Sequence, residues 1–183
     1  ERPSDAAAAV AAAAGTAVHR VLEALRLAGD LREDLARQKQ RLPAWIASLL
    51  RDDERAPALA RALEVLVRFE QGPLLERLAS LRDHVIAREL PVLLPADPEG
   101  DGPVGFVAGA IDLLYREPAT NEFVVVDYKT DRVEGEATLA ERAARYAGQA
   151  AHYRRAVQEA LALAQPPRFE LWFLHAGAVV PVG

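Results

Sequence analysis

The chain has 183 residues, 51% of them apolar, which suits one domain with a real core or a compact domain carrying a helical extension. It contains no cysteine, so disulfides, cysteine-ligated zinc, iron–sulfur clusters and thiol catalysis are excluded. The formal charge of −5 argues against a domain that holds nucleic acid by its overall field, although a metal site adds its own carboxylates to that balance and a neighbouring domain can supply basic groups.

The N-terminal alanine tract has no basic segment ahead of a hydrophobic one in the manner of a signal peptide, and no apolar run approaches the roughly 18 residues needed to cross a bilayer. A cytoplasmic protein is expected, without a membrane partner. Glu1 at the start and the absence of methionine suggest a piece of a longer polypeptide. Val18, Val21, Leu22 and Leu25 recur at helical spacing, as do Leu59, Leu63, Leu66 and Phe69. With Pro43, Pro57 and the Gly72-Pro73 pair as breakers, residues 1–82 read as about four helices.

From His84 the character changes. HVIARELPVLLP, VGFVAGAIDLLY and EFVVVDYKT are β-branched runs separated by turn-rich segments such as DPEGDGP. One long helix is expected over roughly 136–163, followed by Pro166-Pro167 and a final strand, FELWFLH. This order predicts an α/β fold: a mixed central sheet flanked by helices over 83–183, with a helical region before it, the whole forming a single domain.

Charge at the end of the most hydrophobic strand needs an offset for its desolvation. If the second and third strands form a hairpin turning between Ala119 and Thr120, Asp112 lies opposite Asp127 with both side chains on one face. Period-2 alternation adds Lys129 to that face. Two opposed carboxylates repel, and burial worsens the repulsion unless one is protonated or a cation lies between them. Magnesium fits, since it takes oxygen ligands from one or two carboxylates together with water and phosphate oxygens. A nearby lysine can then orient the attacking water. The pattern points to phosphodiester hydrolysis. The competing reading is a solvated strand edge, and a one-residue slip in register undoes the pairing.

Other residues are less determined. Glu89 in ARELPV is either a further ligand through water or an exposed neighbour of Arg88, and by spacing alone His19 reads as a boundary residue of its helix. Arg142, Tyr146, Gln149 and Tyr153 form one polar-aromatic stripe if the helix is continuous, suited to binding phosphate or stacking on a base. An ordinary amphipathic boundary explains that stripe equally well.

Read in order, GTAVH, ARELPV, GAID, VVDYKTDRV and YAGQAAHY resemble the RecB-like branch of the PD-(D/E)xK nuclease superfamily, and within it the C-terminal nuclease domain of AddA-type helicase–nucleases. The resemblance spans Gly15 to Tyr153 and implies a restriction-endonuclease-like core. It implies that His19, Asp112, Asp127 and the Tyr128 backbone carbonyl hold the metal. It further implies that Lys129 is the catalytic lysine, that Glu89 belongs to the same site, and that Gln149 and Tyr153 shape it and contact DNA.

Mg²⁺ is the expected cofactor, with Mn²⁺ able to substitute. An iron–sulfur cluster, present in several relatives, is excluded by the missing cysteines. The chain has no phosphate loop, so the resemblance places a helicase motor elsewhere in the parent chain or in a partner subunit. The expected activity is cleavage of DNA, exonucleolytic, in end processing and double-strand-break repair. A catalytically inactive DNA-binding or docking module is the rival. A glycoside hydrolase fits less well, because it leaves the lysine unused and needs an aromatic-lined cleft.

Overall fold

A computed structural model describes residues 5–95, 106–132 and 136–183. Its internal contacts define two units. The first comprises Glu1–Arg82, Tyr128–Val133 and Phe173–Ala178, and the second Asp83–Asp127, Glu134–Trp172 and Val179–Gly183.

Five α-helices build most of the first unit: α1 (Asp5–Ala24), α2 (Leu31–Lys39), α3 (Leu42–Ala47), α4 (Asp52–Gln71) and α5 (Pro73–Ser80). Alanine's high helix propensity favours α1, and the stripe Val18, Val21, Leu22 and Leu25 is buried as its period predicts. α1 packs chiefly on α4. Buried alanines on both, Ala13, Ala14 and Ala17 from α1 with Ala58 and Ala62 from α4, let the two backbones come close.

Two expectations for this region are corrected. Pro57 does not break the chain but sits within α4, in its second turn. It removes one backbone hydrogen bond there, and the buried face of Ala58, Ala62, Val65, Leu66 and Phe69 carries the helix through. The core face runs through those alanines, so Leu63 of the expected stripe is exposed. The breaks instead include the turn before α2, where the Asp30 side chain accepts hydrogen bonds from the backbone N–H groups of Arg32 and Glu33. The buried carboxylate of Asp34 then accepts from the Arg26 N–H at 2.8 Å and from Arg37 at 2.9 Å.

The sheet runs β1 (Val85–Pro95), β2 (Phe106–Arg116), β3 (Phe123–Lys129), β4 (Arg168–Phe173) and β5 (Ala178–Val182), in the spatial order β1-β2-β3-β4-β5. β2 pairs antiparallel with both β1 and β3. Arg116 pairs with Phe123, which centres the hairpin between Ala119 and Thr120 as expected, and Asn121 takes the left-handed conformation the turn requires. The segment DPEGDGP lies outside the described residues. At the far ends of β3 and β4 the Leu174 N–H donates to the Lys129 carbonyl at 2.9 Å, so these two strands run the same way and the sheet is mixed. β5 is an addition to the strands expected from the sequence. It is short and carries Pro181, which an edge strand tolerates because one side of its backbone has no strand partner among the described residues.

The expected long helix over 136–163 is two helices, α6 (Glu136–Ala144) and α7 (Ala147–Ala160). Tyr146 occupies the N-cap position of α7 without a side-chain cap. No proline marks the break, so an alanine-rich run reads as continuous. α7 packs on β1. Among the described residues no helix is long and apolar enough to cross a membrane.

Candidate active site

Leu113 pairs with Val126, and the same register carried one step further sets Asp112 level with Asp127. On the other side of β2, the pairs Arg88–Leu113 and Leu90–Ile111 bracket Glu89 and Asp112. Glu89, Asp112 and Asp127 therefore stand at one level of three neighbouring strands. Both aspartates are only 5% exposed, and Glu89 is half-buried. Oxygen atoms of Glu89 and Asp112 lie within 4.8 Å of each other.

Glu89 has φ of 47°, a left-handed conformation that costs a non-glycine residue on the order of 1 kcal/mol. A residue so placed departs from simple strand alternation.

Gln149 on α7 donates from Nε2 to Asp127 Oδ1 at 3.0 Å, while Oδ2 is itself buried. One turn later Tyr153 is buried, and its hydroxyl lies within hydrogen-bonding reach of the Gln149 amide and the Ala110 backbone. Burial pushes the Tyr153 phenol above its ordinary value, and the charges of Asp127 and Asp112 push the same way against those hydrogen bonds. The expected four-residue stripe is divided, however. Gln149 and Tyr153 share a face of α7, whereas Arg142 lies in the last turn of α6 and Tyr146 at the break.

The end of β3 belongs to the helical unit. Gly15 of α1 stands over Thr130, whose Oγ1 would be 3.2 Å from a methyl group at that glycine. One turn on, the His19 ring meets the buried Tyr128 ring edge-on, with centroids 6.0 Å apart. The spacing of GTAVH is thereby explained: a small residue admits the strand and the histidine one turn later reaches it. Lys129 is half-buried, two residues beyond Asp127 on the same continuous strand.

Beyond it, Arg132 pairs with Glu64 of α4, which also bonds His175 Nε2 at 3.1 Å. Nothing in the sequence signalled this cluster, because its members are far apart in the chain. Hydrogen bonds from His175 and then Arg132 hold the Glu64 carboxyl below the ordinary carboxylate range. A lowered folded-state value means that its contribution is complete above that range and is lost as pH falls through the lowered value. Thermal unfolding of Glu64→Gln and the parent should therefore differ near neutral pH and converge as acid takes the carboxyl through its lowered value.

A mixed sheet that levels three acidic side chains across adjacent strands, with a lysine two residues past the last of them, is the restriction-endonuclease-like arrangement. Residues 2–181 match the PD-(D/E)XK nuclease superfamily, and the chain belongs to it. It is also 40% identical, over 159 residues, to an ATP-dependent helicase/nuclease subunit of Desulforudis audaxviator (strain MP104C). That match covers 80% of this chain and 12% of the relative's length.

Proposed function

We propose that the chain is a metal-dependent deoxyribonuclease, an exonuclease that processes DNA ends in double-strand-break repair and recombination. It would act with a helicase motor supplied by the same parent chain or by a partner subunit, in the cytoplasm. Residues 1–82, carrying His19, and 83–183, carrying the sheet, would serve as one nuclease domain. The observation that carries this reading is the level row of Glu89, Asp112 and Asp127 on adjacent strands, with oxygens of Glu89 and Asp112 within 4.8 Å, because neighbouring carboxylates repel unless a proton or cation intervenes.

The carboxylate and carbonyl oxygens of this donor set suit a hard divalent ion such as Mg²⁺ or Mn²⁺. In this reading His19, Asp112, Asp127 and the Tyr128 carbonyl hold the ion, and Glu89 completes the acidic site. When bound, the ion supplies Lewis-acid polarisation of the phosphodiester. Lys129 aligns the attacking water and neutralises charge developing on the phosphate. Gln149 keeps the Asp127 carboxylate oriented. Tyr153 shapes the site beside it, while Tyr146 and Arg142 contact the DNA strand through stacking and phosphate binding.

Linear single- and double-stranded DNA incubated with the chain and Mg²⁺ should be degraded to short products. EDTA should stop the reaction, and Mn²⁺ should restore it. Degradation that persists undiminished in EDTA would overturn the reading. Salt-sensitive DNA binding with no metal-dependent cleavage, in the presence of the motor, would instead identify a docking module, a role with which the acidic balance is compatible.

A further inference from the structure

A glycine inside a strand weakens it, and often marks a place where another group must come close to the backbone. Gly109 lies in β2, paired with Val92 of β1. A methyl group built at this position would overlap the Tyr153 hydroxyl and lie 3.1 Å from both Cε1 and Cζ of its ring. The Tyr153 side chain therefore rests directly against the β2 backbone. By contrast, a methyl group at Gly148 would meet nothing within 4 Å.

Resting on the nuclease reading above, we propose that Gly109 is a positioning residue: its missing side chain forms the seat on which Tyr153 and Gln149 settle to orient the Asp127 carboxylate. The links are continuous. The Tyr153 hydroxyl reaches the Ala110 backbone and the Gln149 amide, and its ring packs against Phe169 with centroids 6.4 Å apart. Gln149, one turn earlier on the same helix, donates to Asp127 Oδ1. A side chain at position 109 displaces the ring, the ring displaces the amide, and the carboxylate loses its orientation. A shift of about 1 Å in a reacting constellation can cost on the order of 100-fold in rate.

The test uses the whole chain with Gly109→Ala, Tyr153→Phe, the double variant, and Gly148→Ala as a control. Two quantities are measured: the ¹⁵N–¹H signals of the Gln149 side-chain amide without metal or DNA, and the rate of Mg²⁺-dependent DNA cleavage. Gly109→Ala should move the amide signals and slow cleavage by about 10- to 100-fold, whereas Gly148→Ala should change neither. Tyr153→Phe removes the atom that overlaps most, so adding Gly109→Ala to it should cost no more than about threefold, a non-additivity expected of residues in contact.

Parent-like amide signals and cleavage in Gly109→Ala would overturn the proposal, as would fully additive losses in the double variant. If Gly109→Ala fails to fold, recovery of folding in the double variant supports the seat, and a double variant equally unfolded refutes it. Should the parent chain cleave no DNA even with the motor present, the nuclease reading fails on its own account, and the amide signals still decide the role of Gly109.

Discussion

Asp127→Asn should reduce metal-dependent DNA cleavage by about 1,000-fold or more, the order seen when a principal source of transition-state charge stabilisation is lost. The same substitution should leave the metal-free protein as stable as its parent or raise its stability by up to about 1 kcal/mol, because like charges set opposite each other destabilise a sheet. Asparagine keeps the shape of aspartate and retains an oxygen to accept from Gln149, so the local hydrogen bond survives. Thermal unfolding with and without Mg²⁺ separates the two effects. The parent should be stabilised by Mg²⁺ to a degree that grows with the logarithm of its concentration above the Kd, and Asp127→Asn should lose most of that gain. An ordinary buried structural aspartate would behave the other way, losing stability when changed while its response to Mg²⁺ stayed intact. Cleavage at the parent rate, or an undiminished Mg²⁺ shift, would remove Asp127 from the site.

Lys129→Ala is expected to dissociate chemistry from metal binding. Cleavage should fall by about 100- to 10,000-fold, the range attributed to a positioned general acid–base group. The stabilisation by Mg²⁺ should persist or increase, since an ammonium group near a divalent cation opposes its binding. Lys129→Arg should rescue poorly, because a guanidinium fork differs in shape and hydration from an ammonium and does not give up its proton near neutral pH. Loss of the Mg²⁺ shift in Lys129→Ala would mean that the lysine acts through the metal site or the fold, and the assigned role would fall.

Some of this geometry was legible because it follows from counting along a strand. Side chains alternate with period 2, so a hairpin turning between Ala119 and Thr120 aligns Asp112 with Asp127, and β2 and β3 pair in that register. Burial of the Val18, Val21, Leu22 and Leu25 stripe follows in the same way from the helical period. Local rules sufficed wherever the neighbouring contact lay a few residues away.

Other features depended on contacts between distant segments. Glu89 has a left-handed backbone conformation that no alternation rule anticipates, and its level with Asp112 emerges only once β1 is paired. Arg145 and Tyr146 separate two helices although no proline marks the place, whereas Pro57 is absorbed into α4 because the buried face beyond it outweighs one lost hydrogen bond. The motif in α1 joined Gly15 to His19 by resemblance alone; their facing Thr130 and Tyr128 came from packing within the helical unit. Within GAID nothing sets Gly109 apart, and its role rests on a tyrosine from a distant helix that lies on it. Periodicity along a chain reports which face a residue takes, because that is set by backbone geometry. Which distant group meets that face is set by packing, and linear order carries little record of it.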